Sequence, residues 1–275
     1  MAQIASVVTN GCDPDPRVIR EARWLVELGH EVTIHAFDRA QNLPTSEKVD
    51  GVLIERYRVG NIPYGATIRT WLGIRRFLKK VAPKIRDIDL IHLHDADTLN
   101  LATRNSSPKK LFDMHDLQHT WVRMSAPKSF LRKVISSRMK KGMLRRARTV
   151  DAIITSSQGF SDWLEQHGLQ STPVENRPQS MPHPDLPEKN SIGYFGKVRE
   201  TQSFELLFQA VSLIPEVKRP RVVIGGDGTK IGSVKSIATK YPNIDIEFVG
   251  KFNHQQLPDM MSKIGIMFAM YSPER

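Results

Sequence analysis

Apolar runs of strand length alternate with amphipathic segments of helix length along most of this 275-residue chain. Near the start, strand-like runs at residues 4–8 and 32–37 flank a helical pattern that begins at Pro16 and ends at Gly29. Strands separated by helices in this way pair in parallel, and the helical crossovers cover both faces of the sheet. The order of segments therefore predicts an α/β fold.

This alternation breaks once, between residues 177 and 189, where four prolines occur without apolar periodicity. Such a composition is typical of a linker. We therefore predict a Rossmann-like domain over residues 1–180, a linker over 181–190 and a second Rossmann-like domain over 191–275. Because the second domain is much shorter and ends just after a strand-like run, we expect the chain to be truncated at its C-terminus.

The composition excludes several classes of protein. A single cysteine, Cys12, has no partner for an internal disulfide and rules out a zinc site made of four thiolates. No apolar run reaches the roughly 18 residues of a membrane-spanning helix. The first residues lack the basic and apolar regions of a secretory signal, so we expect a cytoplasmic protein.

Nearly all of the excess positive charge lies in one segment. The net charge is +11, and ten bases but no acid occur between Asp116 and Asp151. Apolar residues recur in this segment at helical spacing, including Leu131, Ile135 and Met139. We therefore predict an amphipathic helix over residues 128–148 with a basic outer face.

Three roles stay open for this basic helix. Its charged face could be solvated, could dock on anionic lipid headgroups at the inner face of the cell membrane, or could bind nucleic acid. Nucleic acid is least favoured, because no aromatic residue after Phe130 interleaves with the bases. The predicted membrane contacts are Arg132, Lys133, Lys140 and Lys141.

The loop after the first strand contains Gly11, Asp13 and Asp15 and leads into a helix. Gly11 would allow a close backbone approach and a positive φ, and the helix N-terminus offers unpaired N–H groups to an anion. The two aspartates could ligate a divalent cation, although acids at this position are commonly helix caps. The dinucleotide fingerprint G-x-G-x-x-G is absent from the sequence.

Loops that follow the strands of the second domain contain cations and glycines. Lys197 and Arg199 precede a helix and could clamp a diphosphate, or could be two solvated surface bases. The glycines of segment 225–228 would let the backbone contact a ligand, or form an ordinary Asp-Gly turn. Phe252 follows the next strand, where an aromatic ring could cover a nucleobase.

Four of the seven histidines in the first domain form two closely spaced pairs. His92 and His94 share a strand face because they are two residues apart, and His115 and His119 have the four-residue spacing of metal ligands on a helix. Neither pair is completed by a cysteine or carboxylate, so no metal site is predicted. Because His115 follows a strand, we expect it at the mouth of a cleft between the domains, hydrogen-bonded to a substrate.

Nine segments resemble, in their order and spacing, glycosyltransferase family 4 enzymes with the GT-B fold. The likeness covers essentially the whole chain, at residues 15–22, 28–33, 89–95, 113–116, 151–157, 174–178, 193–199, 224–228 and 248–252. It implies two Rossmann-like domains that face each other across a cleft. It also implies retaining transfer of a sugar from a nucleotide-sugar donor to a saccharide or lipid-linked acceptor, with neither metal nor cofactor.

The resemblance also assigns roles to single residues. His115 would contact the transferred sugar or the reacting centre, and Lys197 and Arg199 would hold the donor diphosphate as charge grows on it. Gly11 would let the first loop approach the donor, and Phe252 would lie beside the nucleobase. The other substrate-binding residues implied are Arg17, Gly226, Asp227 and Gly228.

Two departures from the family pattern bear on the site. The family usually has a lysine where this chain has Gln202, so Arg199 is expected to take that role. The family's paired glutamates fall at the end of the chain, where Glu274 is the predicted second catalytic residue and is either the first of the pair or just precedes it. Since the sugar-binding half of the donor site would then be missing, we expect slow turnover by residues 1–275 alone.

Two other functions stay open on the sequence. A sugar-nucleotide epimerase with the same fold would need acidic groups at the cleft and no acceptor. A non-catalytic protein would bind membranes or nucleic acid through the basic helix.

Overall fold

The computed structural model describes residues 1–13, 15–62, 68–103, 108–124, 126, 128–176, 190–253 and 256–270. The chain divides into two compact units, Met1–Arg177 (unit 1) and Pro178–Arg275 (unit 2). The predicted linker, except for its last residue, and the predicted catalytic Glu274 lie outside the described residues.

Unit 1 is built on an eight-stranded sheet. Its strands are β1 (Gln3–Val8), β2 (Glu31–Phe37), β3 (Ser46–Val49), β4 (Val52–Tyr57), β5 (Leu90–His94), β6 (Lys109–Met114), β7 (Ala152–Thr155) and β8 (Thr172–Pro173). Its helices are α1 (Pro16–Glu27), α2 (Ile68–Val81), α3 (Asp95–Thr98), α4 (Gln118–Met124), α5 (Phe130–Ala147) and α6 (Gln158–Glu165). Short 3-10 helices occupy Ala82–Ile85 and Leu99–Leu101.

The strand order in unit 1 is β3-β4-β2-β1-β5-β6-β7-β8. Every pair is parallel except β3 with β4, an antiparallel edge pair that the alternation of the sequence did not predict. The order reverses between β1 and β5. Ligands of open α/β sheets bind beyond the carboxyl ends of the strands at such a reversal, so the loops after β1, β5 and β6 are where a site is expected.

The two faces of this sheet pack against different helices. Along β1, Ile4 and Val8 join a core beneath α1, whereas Ala5 and Val7 join a larger core that includes Phe77 of α2. This alternation follows from the two-residue period of a strand.

Unit 2 is a four-stranded parallel sheet in the order β11-β10-β9-β12. Its strands are β9 (Ser191–Phe195), β10 (Arg221–Gly225), β11 (Ile246–Gly250) and β12 (Ile266–Met267), and its helices are α7 (Gln202–Ser212), α8 (Ile231–Ala238) and α9 (Leu257–Met261). A 3-10 helix spans Glu216–Lys218. The strand order reverses between β9 and β12, so a ligand site is expected at the loop after β9.

The basic segment forms α5, but its apolar residues do not all face the core as predicted. Three of them are between 38% and 68% exposed, namely Leu131, Ile135 and Met139. Only the last turns of α5 reach the core, through Met143, Leu144 and Ala147, because the preceding turns pack beside the short helix α4 instead. Among the described residues, no helix is long and apolar enough to cross a membrane.

Candidate functional site

Polar side chains replace apolar packing between α1 and the carboxyl ends of β1, β5 and β6. We call these residues the α1 cluster; they are all buried and comprise Ser6, Arg17, Glu21, His92, His94 and Asp113. The strand register places Ser6 beside His92 and His94 beside Asp113, and α1 contributes the other two residues from successive turns. Because a buried polar group destabilises the fold unless it is paired, the contacts within this cluster decide what it can do.

Asp113 is the centre of the α1 cluster. Its two carboxylate oxygens accept hydrogen bonds from Arg17 Nε at 3.0 Å and Nη2 at 2.8 Å. Oδ2 also lies 2.6 Å from Nε2 of His115 and 3.3 Å from Nδ1 of His94. Burial alone would raise the pKa of this carboxyl, but the bonds from His115, His94 and Arg17 hold the pKa well below its usual range. Asp113 is therefore ionised at physiological pH.

His115, in the loop after β6, lies between two carboxylates. Its Nε2 contacts Asp113, and its Nδ1 is 3.8 Å from Oδ2 of Asp95, whose Oδ1 accepts from the His115 backbone N–H at 3.2 Å. Burial would lower the pKa of the imidazole, but the hydrogen bond to Asp113 and the charges of both acids raise the pKa above its usual value. The His115 side chain is 16% exposed, so part of it is accessible to a ligand at this edge of the sheet.

Glu21 is the second acid of the α1 cluster. Its Oε1 lies 3.0 Å from Arg17 Nη2 and its Oε2 lies 3.8 Å from Nε2 of His92, yet neither oxygen has a hydrogen-bond donor among the residues described. Burial, and then the charge of Asp113, raises the pKa of Glu21 to about 8. Glu21 is therefore protonated at neutral pH, and a single guanidinium balances a single buried carboxylate.

Four side chains of the α1 cluster bring possible metal-ligand atoms within 4.8 Å of one another: Glu21, His92, His94 and Asp113. The guanidinium of Arg17 already binds both oxygens of Asp113 and contacts Glu21. A cation would meet this fixed positive charge at contact distance. The cluster therefore fits a buried ion pair better than a metal centre.

Arg17, which the family resemblance gives as substrate-binding, lies in the interior of unit 1. Besides its bonds to Asp113, its Nη1 donates to the Val174 carbonyl at 2.6 Å. Since all three of its nitrogens have protein partners, Arg17 joins α1 to β6 and to the segment after β8. This position gives the residue a structural role.

The spacing of His115 and His119 does not produce a pair of ligands. Helix α4 begins only at Gln118, so His115 is not on the helix that carries His119. The His119 ring stacks on Trp163 instead, with 5.7 Å between the ring centroids.

The loop after β1 is held from beneath by Arg56. This buried side chain donates from Nε to the Gly11 carbonyl at 2.7 Å and from Nη2 to the Cys12 carbonyl at 3.3 Å. The positive φ in this loop, 50°, belongs to Cys12 and not to Gly11; a Cβ on Gly11 would instead lie 2.6 Å from Leu43 Cδ1. The side chain of Asp15 caps α1, which accounts for this acid without a metal.

In unit 2, the loops after β9, β10 and β11 are joined through their backbones. Gly196 N–H donates to the Gly225 carbonyl at 3.0 Å, and Gly226 N–H donates to the Gly250 carbonyl at 2.7 Å. Gly226 has a φ of 121°, and a Cβ on it would lie only 1.9 Å from the Gly196 carbonyl oxygen. The contact between the loops therefore requires glycine at this position.

Gly228, two residues further along this loop, is also too close to a neighbouring carbonyl oxygen to carry a Cβ. Its φ is 152°, and a Cβ there would lie 2.1 Å from the Val198 carbonyl oxygen. Val198 N–H in turn donates to the Asp227 carbonyl at 2.7 Å. The glycines of this loop thus serve close packing against the loop after β9, and they fix the place of the Asp227 carboxylate.

Two lysines share that carboxylate. Lys197 Nζ lies 2.7 Å from Asp227 Oδ1 and Lys251 Nζ lies 3.4 Å from Oδ2, and both lysines are largely exposed. The bond from Lys197, followed by that from Lys251, lowers the pKa of Asp227. Arg199 is exposed, and the Phe252 ring meets Phe195 edge to face at 5.9 Å. Sequence reasoning missed Lys251, although its place directly after a strand is the signal that singled out Lys197.

In unit 1, sequence reasoning missed Glu21, Asp95 and Asp113 as members of the site. Asp113 is two residues from His115, and Glu21 is four residues from Arg17. The period of a strand therefore already placed the first pair on one side, and the period of a helix did the same for the second pair. What the sequence lacked was evidence that the strand and the helix face each other.

Each unit is a Rossmann-like α/β sheet with polar groups at the carboxyl ends of its strands, and a chain made of two such units has the architecture of the GT-B fold. Sucrose-phosphate synthase from Thermosynechococcus elongatus is similar with a TM-score of 0.76 at 16% identity, over 97% of this chain and 75% of its own. Anabaena HepE, solved in complex with UDP-glucose, is similar with a TM-score of 0.65 at 15% identity, over 97% and 73%. These likenesses confirm the predicted fold.

The family follows from the sequence itself. The pattern described as Glycosyltransferase Family 4 matches residues 17–176, which is more than half of the chain. The chain belongs to this family, as the resemblance of its motifs predicted. No curated protein matches it.

Proposed function

We propose that this glycosyltransferase moves a sugar, with retention of anomeric configuration and without a metal ion, from a nucleotide-sugar donor to a saccharide or lipid-linked acceptor. The observation that carries the proposal is the pair of lysines, Lys197 and Lys251, around Asp227 at the carboxyl ends of three parallel strands. Solved structures of the same fold contain UDP-glucose in HepE and ADP with acarbose in starch synthase IV from Arabidopsis thaliana, the latter with a TM-score of 0.60 at 13% identity.

The two lysines supply positive charge that can stabilise a leaving nucleoside diphosphate. As the bond to the sugar breaks, negative charge grows on the diphosphate oxygens, and fixed ammonium groups stabilise that charge more than the ground state. Before the donor binds, Asp227 holds both lysines in place and offsets their mutual repulsion. A diphosphate displaces this single carboxylate, because it offers more oxygens and more charge.

His115 supplies the matching group in unit 1. Its Nε2 is held by Asp113 and its Nδ1 points away from that bond, so the protonated ring can donate to a hydroxyl of the transferred sugar or to an oxygen on which charge develops. Because the adjacent acids raise the pKa of the ring, this proton is retained as the pH rises past the value of a free histidine. His115 therefore acts as a charged donor rather than as a base.

The lysines are tested by calorimetric titration of UDP, ADP and GDP into the purified chain. Lys197→Ala and Lys251→Ala should each weaken the preferred nucleotide by about tenfold to a hundredfold, the range for a charge-assisted hydrogen bond. Lys240→Ala, which removes an exposed lysine on another surface of unit 2, is the matched control. Equal affinities for all the variants would remove the proposal.

Metal independence and retention need separate measurements. Chelation with EDTA should leave transfer unchanged, and the anomeric proton of the product should show by NMR the same configuration as the donor sugar. Loss of transfer with EDTA, or an inverted product, would contradict these parts of the proposal alone. Slow turnover by residues 1–275 stays a prediction, to be measured in the same assay.

One observation keeps an epimerase as a second candidate. Asp95 lies beside His115, and burial raises its pKa to about 7, which suits an acid that exchanges protons near neutral pH. Incubating the donor with and without an acceptor separates the two functions. An epimerase changes the donor sugar without any acceptor, whereas a transferase releases nucleotide only as acceptor is consumed.

A further inference from the structure

Two helices of unit 1 carry apolar side chains on their outer surfaces. Exposed large apolar residues occur on α2 at Ile68, Trp71 and Leu72, and on α5 at Phe130, Leu131, Ile135 and Met139. The two helices are neighbours, because Trp71 and Met139 line the same cavity of about 130 Å³. We refer to the exposed apolar residues of these two neighbouring helices together as the α2–α5 surface.

The exposed residues follow the same order on both helices. On α2, the exposed bases Arg75 and Lys79 lie on the same face as Ile68 and Leu72. They follow Leu72 by three and by seven residues. Residues separated by four, seven or eleven positions lie on one side of a helix. The outer face of α2 therefore begins apolar and ends basic.

Helix α5 repeats this arrangement. Leu131 and Ile135 share their face with Arg138 and Arg145, which are exposed and follow Leu131 by seven and fourteen residues. The opposite face carries the buried Met143 and Leu144, so the stripe that begins at Leu131 points away from the core. An exposed apolar stripe that continues into bases, in a segment without acids, offers both the apolar and the charged contacts that an anionic lipid surface can make.

The structure also distinguishes among the four bases that sequence analysis assigned to a membrane. Arg132 donates to the Val122 carbonyl at 2.8 Å, and Lys140 Nζ lies 5.2 Å from the Trp163 ring centroid. These two bases therefore hold α5 to α4 and α6. Lys133 and Lys141 are exposed but lie off the apolar stripe, because they follow Leu131 by two and by ten residues.

We propose that the α2–α5 surface docks on a bilayer that contains anionic lipids, with Leu131 and Ile135 inserted among the acyl chains and Arg138 and Arg145 against the headgroups. Charge complementarity selects this partner, because the segment around α5 has ten bases and no acid. The cytoplasmic leaflet of a cell membrane has the required negative potential. Nucleic acid would use the bases but would leave the apolar stripe exposed to water.

Docking goes beyond the proposed sugar transfer and can be measured without donor or acceptor. The full chain is sedimented with phosphatidylcholine vesicles, with or without phosphatidylglycerol, across a series of salt concentrations. We expect binding only when phosphatidylglycerol is present, and weaker binding as salt rises. Leu131→Gln with Ile135→Gln should weaken partitioning about tenfold per residue, and Arg138→Glu with Arg145→Glu should weaken it at least about fivefold per residue.

Matched controls separate docking from nonspecific adhesion. Leu28→Gln with Leu213→Gln removes two apolar side chains of similar or greater exposure elsewhere on the chain, and Lys218→Glu with Lys240→Glu reverses two exposed bases of unit 2. Both control pairs should bind vesicles like the unaltered chain.

Three results would overturn the proposal. One is equal binding to vesicles without phosphatidylglycerol, and another is a Leu131 and Ile135 variant that behaves like its control. The third is preferential sedimentation with a duplex oligonucleotide that competes with vesicles, which would assign the basic face to nucleic acid. Circular dichroism of each variant shows that the fold is kept, as expected for exposed positions.

Discussion

Replacement of Glu21 by glutamine tests whether the α1 cluster contains one negative charge or two. The pKa of Glu21 is about 8 in the folded protein and 4.5 in an unfolded chain. Between these values the folded protein binds one proton more than the unfolded chain, so the free energy of unfolding decreases by about 1.4 kcal/mol per pH unit. The total decrease in the free energy of unfolding is roughly 5 kcal/mol, and it is complete once the pH has risen through 8.

Glutamine has nearly the same shape and no proton to lose. The Glu21→Gln variant should therefore match the unaltered protein near about pH 5 and exceed its stability by roughly 3–5 kcal/mol near about pH 9. Titrating groups that do not interact with Glu21, such as His35, are present in both proteins and cancel in the difference. The measurement is urea unfolding of both proteins at a series of pH values.

Glu27→Gln is the matched control, because Glu27 is on the same helix but is 63% exposed. Its stability should follow that of the unaltered protein at every pH. Parallel curves for the Glu21→Gln variant and the unaltered protein would refute the assignment of a protonated Glu21, and with it the pairing of one guanidinium with one carboxylate.

Three further predictions concern the residues around the two sites. Arg17→Met removes the guanidinium that binds both oxygens of the buried Asp113 and leaves that carboxylate only its histidine contacts, so it should lower the free energy of unfolding in urea by about 3–5 kcal/mol. A loss below about 1 kcal/mol would mean that the histidines or water replace the guanidinium. Gly226→Ala forces a methyl group against the Gly196 carbonyl oxygen, so it should lower the melting temperature. It should also abolish the rise in melting temperature that we expect nucleoside diphosphates to cause; an unchanged rise would show that the loops can separate at little cost. His115→Gln keeps a donor but removes the charge, so it should lower kcat/KM by about a hundredfold to a thousandfold. We expect the activity of the unaltered enzyme to decline as the pH rises through the raised pKa of His115, and this decline should be absent from the variant; the same decline in the variant would assign it to another group.

The sequence was sufficient for the architecture. Alternating apolar runs and amphipathic segments fixed parallel α/β units, because the periods of a strand and a helix are set by the backbone. The order of motifs was sufficient for the family, since it reflects which loops follow which strands. Boundaries and edges were less certain: the strand Ser46–Val49 was not predicted, because a short, polar edge strand has no apolar periodicity.

Tertiary structure decided the chemistry of single residues. Arg17 changed from a substrate contact to the partner of a buried Asp113, and Gly226 and Gly228 became packing contacts between loops, because both roles depend on what lies opposite each residue. The apolar spacing of α5 was correctly seen, but only the fold shows that Leu131 and Ile135 point into solvent. Local sequence sets the period of an element, whereas the facing surface decides which side of it is buried and which charges are shared.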